Sequence, residues 1–519
     1  MSFSDVQSAA IFGLKVELVH VEADVGNGLP AFHMVGYLSS EVKEAGERVR
    51  TAIRNSDLDF PSKKIVINLA PATMKKRGAA FDLPIAVAIL VSLGKIPQTR
   101  VDDTLVVGEL SLDGKVKRVS GILPMVLAAR EMGLKKCLIP KENVKEGELV
   151  EGIEIIGTES LKEVYEHLNG IKEIKKDTNG VLLSNKKEKL ERTEEETLDY
   201  ADICGQHAVK RAAEIAVAGG HNLLMIGPPG SGKSMTAKRI PTIFPPMTLE
   251  ESMEVTKIYS ILGEIDEEHP LIQTRPFRSV HHTVTNRALV GGGVIPSPGE
   301  ISLAHSGVLF LDELPEFHRS TIEVLRQPLE DRVIQITRAR GSCQFPANFM
   351  MVAAMNPCPC GNYPNQSCTC TPWQIQNYLG KLSQPFLDRM DICVEAPKVE
   401  YDALKISETR EKPEETSVTI RERVCKAREI QQKRYAGTTC LFNAMMGVDE
   451  LKLYCHLQED GEVLMEQAFH RLSLTARSYH KILKVARTIA DLDGEEQIQQ
   501  IHLIEAIGYR GLDKKHWGK

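Results

Sequence analysis

Residues 221–234 read HNLLMIGPPGSGKS and are the most informative stretch of this chain. Four apolar residues, 223–226, run directly into the pattern G-x-x-x-x-G-K-S, and a helix-compatible segment, 235–240, follows it. This order of strand, glycine-rich loop and helix is that of a P-loop, which binds nucleotide phosphates. The predicted nucleotide-binding residues are Gly227, Pro228, Pro229, Gly230, Ser231, Gly232, Lys233 and Ser234.

The residue types in this loop match the chemistry of phosphate binding. Glycines let successive backbone N–H groups point at a phosphate, and the following helix adds its positive end. We expect Lys233 to reach the β- and γ-phosphates and the Ser234 hydroxyl to bind Mg²⁺. A chance Gly/Pro turn is the alternative, and the flanking strand and helix argue against it.

A second apolar run ends in two carboxylates. Residues 308–311 predict a buried parallel strand, and Asp312 and Glu313 follow it directly. Active groups of open α/β sheets lie at the carboxyl ends of strands. We therefore expect Asp312 to hold Mg²⁺ and Glu313 to orient and deprotonate an attacking water, unless the pair is an ordinary strand end. The sequence predicts hydrolysis of a nucleotide, with ATP and Mg²⁺ bound.

Length and composition restrict the class of protein. The chain has 519 residues, 42% of them hydrophobic and 26% charged, which is ordinary for a soluble protein of about three domains. The longest apolar run, 83–93, is too short to cross a bilayer, and the N-terminus lacks a basic-then-apolar signal. We expect a cytoplasmic protein without membrane contact. The net charge of −6 argues against a globally basic nucleic-acid binder but permits a local basic channel.

Residues 1–170 are predicted to form one α/β domain. The patterns indicate strands over 14–25 and 64–69, a buried helix over 81–93 and a hairpin over 104–116. Residues 171–196 are rich in Lys and Glu and predict a solvated linker.

Two segments of the first domain, KKRGAAFD at 75–82 and GELSLDGKVKRVSGI at 108–122, resemble the proteolytic domain of Lon proteases. In that family the first segment carries a serine nucleophile and the second is followed by a lysine base. The matching positions here are Ala80 and Met125. A methyl group cannot attack a carbonyl and a thioether cannot take a proton. We therefore expect a structural or assembly domain without serine–lysine proteolysis.

The segment PGEISLAHSGVLFLDELPEF at 298–317 resembles the signature of magnesium-chelatase-like AAA+ ATPases. The whole chain resembles the YifB/ComM family within them. The resemblance implies a multidomain α/β fold: a Lon-protease-like α/β domain over 1–170, a P-loop AAA+ α/β domain over 197–398 and a C-terminal helical lid over 399–519. It also implies a homo-oligomeric ring, usually a hexamer, with ATP at the subunit interfaces. The best-described activity of the family is DNA branch migration in natural transformation.

The resemblance assigns three further residues to the catalytic set that begins with Glu313. Asn356 matches the first sensor, which hydrogen-bonds the γ-phosphate or the lytic water, although an Asn before a proline also begins turns. Arg389 matches the arginine finger, which stabilises charge on the neighbouring subunit's ATP. An ion pair with Asp388 or Asp391 is its alternative. Arg477 matches the second-sensor arginine of the lid.

Four cysteines lie within 13 residues, at Cys358, Cys360, Cys368 and Cys370. Two C-x-C knuckles with turn formers between them suit a tetrahedral Zn²⁺ site, although C-x-C is less diagnostic than C-x-x-C. Reduced thiols or a redox pair are the alternatives. A metal here would brace a loop near Asn356 and have a structural role.

Residues 332–341 predict a hairpin arm before the sensor strand. In related ring ATPases such a hairpin faces the central pore, where Arg338 and Arg340 would form a basic collar for a phosphate backbone. A solvated arm is the equally favoured alternative.

Two functions follow from these patterns. The preferred one is an ATP-driven AAA+ ring motor on DNA, of the branch-migration or helicase type found in recombination and natural transformation. The alternative is an ATPase that remodels proteins or assembles complexes. A metal-chelatase motor subunit, a third reading, has no support beyond the shared ATPase parts.

Overall fold

The computed structural model describes residues 3–174, 198–293, 296–338, 341–398 and 414–517. Apart from its first four residues, the predicted linker over 171–196 lies outside this part of the chain. The described residues confirm the predicted fold class: a mixed α/β architecture with a parallel-sheet core and a helical C-terminal region.

The N-terminal region is built on a seven-stranded mixed sheet in the order β3-β4-β2-β1-β5-β8-β9. The strands of this region, of which β6 and β7 lie outside that sheet, are β1 (Phe3–Phe12), β2 (Lys15–Gly26), β3 (Ala31–Val35), β4 (Lys64–Ala70), β5 (Thr104–Val106), β6 (Glu109–Leu110), β7 (Val116–Lys117), β8 (Lys136–Pro140) and β9 (Glu154–Thr158). The helices are α1 (Ser40–Asn55), α2 (Asp82–Ser92), α3 (Ile122–Glu131), α4 (Val144–Gly147) and α5 (Leu161–Leu168).

Most of the elements predicted for this region are confirmed. The strands over 14–25 and 64–69 are β2 and β4, and the helix over 81–93 is α2, whose 11 residues are all buried. The hairpin predicted over 104–116 is wrong in its first part. Because all three residues of β5 are buried, this strand enters the large sheet beside β1, and only β6 and β7 pair as a hairpin.

The central region holds a five-stranded, all-parallel sheet in the order β11-β14-β17-β10-β18. Its strands are β10 (Leu223–Ile226), β11 (Phe277–Val280), β14 (Val308–Leu311), β17 (Met350–Met355) and β18 (Ile392–Glu395), with the short pairs β12 (Gly291–Gly292) and β13 (Ser297–Pro298), and β15 (Val333–Arg338) and β16 (Gly341–Pro346). The helices are α6 (His207–Gly219), α7 (Lys233–Arg239), α8 (Leu249–Leu262), α9 (Asn286–Val290), α10 (Glu300–Leu303), α11 (Arg319–Val324), α12 (Arg326–Asp331), α13 (Pro372–Leu379) and α14 (Gln384–Leu387).

Strand β10 shows why this sheet is buried on both faces. Its side chains alternate between two cores: Leu223 and Met225 face one, and Leu224 and Ile226 face the other. A parallel sheet covered on both sides needs continuous apolar strands and not alternating ones. This requirement explains the uninterrupted LLMI run that precedes the glycine-rich loop.

The C-terminal region is helical, with α15 (Ser417–Arg434), α16 (Val448–Tyr454), α17 (Glu459–Arg471), α18 (Ala476–Asp493) and α19 (Gln500–Trp517). Helices α15 and α18 pack on α6 and share one apolar core with it, to which they contribute Val424 and Ile482. The helical region is thereby fixed to one face of the parallel sheet.

The N-terminal and central regions are joined through α3 and α8. The backbone N–H of Gly121 donates to the Ser260 carbonyl at 2.9 Å, and Arg118 binds Glu267 at 2.9 Å. At a second contact, Gly13 in the β1–β2 turn lies so close to Cys343 of β16 that a Cβ there would be 2.7 Å from its Sγ. Within the described residues, no helix is both long enough and apolar enough to cross a membrane.

Candidate active site

The glycine-rich loop joins β10 to α7 at the carboxyl edge of the parallel sheet. Gly230 and Gly232 have φ angles of +75° and +84°, in the left-handed region that glycine adopts without strain. Lys233 begins α7 and turns its ammonium back into the loop, where it donates to the carbonyls of Gly227 at 2.7 Å and Pro228 at 2.8 Å. Burial lowers the pKa of Lys233, while Asp312 opposes that shift.

The second residue of α7 reaches the neighbouring acidic strand end. The Ser234 hydroxyl donates to one carboxylate oxygen of Asp312 at 2.6 Å. The other oxygen of Asp312 accepts the backbone N–H of Glu313 at 2.9 Å. A hydroxyl and a carboxylate in contact form the hard oxygen set that Mg²⁺ prefers. These two predicted metal ligands therefore lie together.

Glu313 lies beside Asp312 in an unusual backbone conformation. Its φ of +51° is in the left-handed region, which is uncommon for a residue other than glycine and concentrates at functional sites. Its side chain is exposed, and one carboxylate oxygen lies 3.6 Å from Nδ1 of His282. The ring of His282 packs against His281 and edge-on to Phe317. Glu313 is thus held at the sheet edge with its carboxylate open to solvent.

Asn356 reaches the same point from β17, which lies directly beside β10. Its side-chain oxygen accepts a hydrogen bond from the Lys233 ammonium at 3.4 Å. The structure therefore brings Lys233, Ser234, Asp312 and Asn356 together at the carboxyl edge, with Glu313 adjacent.

The two predicted arginines lie at the opposite edge of the sheet. Arg389 is buried, and its guanidinium binds Glu330 at 2.8 Å. Arg477, on α18, binds the same oxygen of Glu330 at 2.9 Å. Asp388 and Asp391 are the alternative ion-pair partners predicted for Arg389. In the structure their place is taken by Glu330, which lies farther away in the sequence.

Asn222 and Asp391 connect the amino ends of β10 and β18 by hydrogen bonds. Asn222, just before β10, donates its side-chain amide to the Arg389 carbonyl at 3.1 Å and its backbone N–H to Asp391 at 2.8 Å. Burial raises the pKa of Asp391, but the charge of Lys481, 2.8 Å away, and its hydrogen bonds outweigh this and lower it to about 2. Because Asn222 and Gly227 flank the four residues of β10, the two edges are separated by about 13 Å of strand.

A cavity of about 580 Å³ opens at this amino edge. Five cationic side chains and three carboxylates line it. The cations are Arg332, Arg389, Arg477, Lys481 and Lys484, and the carboxylates are Glu330, Asp388 and Asp391. An excess of positive charge in a partly closed cavity favours an anionic occupant.

Sequence reasoning missed Glu330, Asn222 and Gln206. Gln206 donates its side-chain amide to the carbonyls of Ser231 at 3.0 Å and Pro397 at 2.6 Å, and so supports the glycine-rich loop from outside. Each of these residues acts through a partner far away in the chain. No local spacing in the sequence could have pointed to them.

The four cysteines converge at a loop that follows Asn356. Their sulfur atoms all lie within 4.8 Å of one another, with Cys358 buried and the others half-buried. Backbone N–H groups, first that of Asn362 and then that of Thr369, lower the pKa of Cys360 to about 5. This cluster is a set of four ligands that could hold a metal ion.

In the N-terminal region, Ala80 and Met125 line one cavity of about 320 Å³. Its rim carries the cations Lys75, Arg77 and Arg118. The cleft at the predicted dyad positions is therefore present, without a nucleophile or base at either position.

The predicted hairpin arm is β15 paired with β16. The side chain of Arg338 and all of Arg340 lie outside the part of the chain that the structure describes, so the basic collar stays a prediction.

Residues 199–404 match the family model of magnesium chelatase, subunit ChlI, and residues 414–510 match the C-terminal model of that subunit. A further model, subunit ChlI of Mg-chelatase, matches residues 21–143. The chain is 44% identical over 512 residues to the competence protein ComM of Haemophilus influenzae, covering 99% of this chain and 98% of the relative.

The chain belongs to the YifB/ComM family of magnesium-chelatase-like AAA+ ATPases. It is also 41% identical over 514 residues to the uncharacterized protein YifB of Escherichia coli, covering 99% of this chain and 98% of that relative. The Lon likeness of the N-terminal region is confirmed as well. The peroxisomal Lon protease homolog 2 of rice is 30% identical over 172 residues, which are 30% of this chain and 19% of that protein.

Proposed function

We propose that this family member is the subunit of an ATP-hydrolysing ring motor that acts on DNA. The observation that carries the proposal is the hydrogen-bonded set of Lys233, Ser234, Asp312 and Asn356 at one edge of the sheet. Four residues that the sequence assigns to ATP meet there although they come from three separate strand ends.

The residues at the carboxyl edge fit ATP and Mg²⁺. A Cβ at Gly230 or Gly232 would have no atom within 4 Å, so the loop is open at these glycines. Ser234 and Asp312 are the residues that would hold Mg²⁺, which when bound neutralises phosphate charge. Lys233 contributes a positive charge beside the loop, and Glu313 accepts a proton from the attacking water. Asn356 orients the γ-phosphate or that water.

We further propose that Arg389 and Arg477 serve the ATP of a neighbouring subunit in a hexameric ring. Both lie at the amino edge, about one strand length from the glycine-rich loop of their own chain. A head-to-tail ring brings this edge of one subunit to the carboxyl edge of the next. The cation-rich cavity at the amino edge supports this arrangement, because it favours an anion.

DNA is the proposed substrate because of the family. The relative from H. influenzae is named a competence protein, and DNA branch migration is the activity that the resemblance implies. Charge supports the same choice only locally, through the predicted collar at Arg338 and Arg340, since the net charge is −6.

A protein-remodelling activity is the second candidate. It is favoured by the N-terminal region, which keeps a Lon-like cleft and is fixed to the ATPase region at α3 and α8. This cleft would hold a polypeptide client without cutting it, since Ala80 and Met125 cannot form a catalytic dyad.

The experiment is ATP turnover by the purified chain with and without branched DNA, at about 50 and 200 mM salt. We expect DNA to increase turnover and the increase to fall with salt, because phosphate contacts release counterions. The Glu313→Gln variant gives the background turnover expected without the proposed catalytic base. Turnover that is normal but indifferent to DNA at low salt would contradict a DNA substrate and favour a protein client.

The remaining assignments are proposals of the same kind. We place the domain boundaries at 1–170, 171–196, 197–398 and 399–519, and the protein in the cytoplasm. We also propose that Cys358, Cys360, Cys368 and Cys370 bind one structural Zn²⁺.

A further inference from the structure

The cysteine knuckle touches the nucleotide-binding loop. Gly361, between the two C-x-C pairs, has a φ of +80°, and a Cβ at this position would be 2.3 Å from Cδ and 3.0 Å from Cγ of Pro229. Pro229 is a central residue of the glycine-rich loop. The backbone of the knuckle therefore lies in direct contact with the loop, at a distance that only glycine allows.

A second connection starts at the same knuckle. Asn356, two residues before Cys358, accepts the hydrogen bond of the Lys233 ammonium. The chain thus contacts the loop at Lys233, then enters the cysteine cluster, and contacts the loop again at Pro229. The segment that carries the cluster therefore makes both contacts.

The geometry of the cluster suits a closed zinc site. The measured sulfur–sulfur distances are 3.4 Å for Cys358–Cys360, 3.8 Å for Cys358–Cys368 and 3.6 Å for Cys360–Cys368. Zn–S bonds of about 2.3 Å in a tetrahedron place sulfurs about 3.8 Å apart, whereas a disulfide needs about 2.0 Å. All four cysteines are free thiols.

Backbone groups orient the sulfurs, as they do around structural zinc ions. The N–H of Tyr363 donates to Cys358 Sγ at 3.4 Å, and the N–H of Gly361 donates to the Cys358 carbonyl at 3.0 Å and closes the knuckle turn. The residue that touches Pro229 is therefore held by the turn that also presents Cys358.

We infer that zinc occupancy of this cluster controls the affinity of the ATP site, through the contact of Gly361 with Pro229. This inference rests on the proposed ATP site. With the metal bound, the four cysteines hold the knuckle in one shape, and that shape supports the loop. Without it, four crowded thiols have no common ligand, the knuckle relaxes, and Pro229 and Asn356 lose their support.

The test uses the full chain, purified without chelator, and measures zinc content by elemental mass spectrometry and affinity for mant-ADP by fluorescence. We expect about one zinc per wild-type chain. A Cys368→Ser, Cys370→Ser double variant should lose zinc and bind mant-ADP about tenfold more weakly. Gly361→Ala should keep its zinc and show a similar loss of about tenfold, because the methyl group displaces Pro229.

Two matched controls separate this contact from general effects. Gly437 has a φ of +81° and no atom within 4 Å of a Cβ, so Gly437→Ala repeats the backbone strain without a clash. Cys425→Ser repeats the thiol-to-hydroxyl change on α15, outside the cysteine cluster. Both controls should bind mant-ADP like the wild type. If the double variant does not fold, zinc is removed from the wild type with a chelator and then restored, and affinity should fall and recover.

Two results would overturn the inference. One is a wild-type chain without zinc after purification in zinc-containing buffer. The other is unchanged mant-ADP affinity in the zinc-free protein. A wild type that binds no mant-ADP at all would instead contradict the proposed ATP site, so the two failures are distinguishable.

Discussion

The two edges of the central sheet differ in how complete each one is within a single chain. At the carboxyl edge, Ser234 contacts Asp312, and Lys233 contacts Asn356, so the predicted ATP residues already have one another as partners. At the amino edge, Arg389 and Arg477 share one carboxylate, Glu330, which offsets only one of their two charges. The first edge brings its predicted ligand-binding groups together within one chain, while the second pairs two cations with a single carboxylate.

This difference is the one expected of a ring enzyme whose active site is divided between two subunits. Groups that bind the nucleotide come from one sheet edge, and groups that stabilise charge come from the other edge of the next subunit. In the proposed ring, each chain would carry two half-sites at opposite ends of the same four-residue strands. Hydrolysis would require assembly.

Changing Glu313 tests the carboxyl edge and has the largest expected effect. Glu313→Gln should lower steady-state ATP turnover by roughly 10³–10⁴-fold, because an amide cannot accept the proton of the attacking water. Nucleotide binding should be retained, since Glu313 has no contact with the glycine-rich loop among its described partners. Glu316→Gln is the control, a nearby exposed acid that pairs with Lys381. Near-normal turnover by Glu313→Gln would contradict its role as the base.

The assignment of the two half-sites is tested by mixing variants. Arg389→Ala should lower turnover roughly 10³-fold while leaving ATP binding by isolated subunits intact, because the arginine is proposed to meet only the neighbour's phosphates. Lys233→Ala should be inactive for a different reason, loss of its own nucleotide. Mixed rings contain interfaces with an intact Lys233 from one subunit and an intact Arg389 from the next.

Turnover measured after mixing the two inactive proteins should therefore exceed that of either alone. Arg319→Ala, on the exposed start of α11, serves as the arginine control in the same mixtures. Failure of the mixture to recover activity, with rings shown by light scattering to exchange subunits, would place Arg389 with the ATP of its own chain.

The amino edge also contains a buried histidine whose protonation should weaken the fold. Burial lowers the pKa of His221 to about 4; Asp391 opposes this, and Lys484, Lys481 and Arg428 add to it. The unfolded chain then binds the proton more tightly, so stability is full above pH 6.5 and falls as the pH decreases to 4. Over this pH range the free energy of unfolding decreases by about 3 kcal/mol.

Urea unfolding at pH 7 and pH 5 measures this loss against His221→Gln. The Gln amide can keep the hydrogen bond to Thr488, which His221 makes at 2.8 Å, but it does not titrate. We expect the wild type to lose more stability than the variant between the two pH values. Equal losses would mean that His221 does not carry the effect.

The parts of the site that could be predicted are those written in short stretches of sequence. The apolar run before the glycine-rich loop and the acids after residue 311 are local patterns, so the strands and their edge followed from spacing alone. The parts that could not be predicted are contacts between distant residues. Glu330 meets Arg477 across 147 positions, Gly361 lies against Pro229 of the glycine-rich loop, and no periodicity encodes either contact.

Changing Glu330 has the smallest expected effect and tests the amino edge directly. Among the described residues, Glu330 is the carboxylate that Arg389 and Arg477 share. In the proposed ring it would compete with the neighbour's phosphates for both cations. Glu330→Gln keeps the shape but removes the charge, and it should tighten apparent ATP affinity in assembled rings by about threefold, as expected for a partly exposed ion pair. Asp331→Asn, the adjacent exposed acid, should leave affinity unchanged. The same gain in isolated subunits would contradict the argument, because a single chain cannot bring its amino edge to its own ATP. A loss of affinity in rings would mean that Glu330 positions the arginines and does not compete for them.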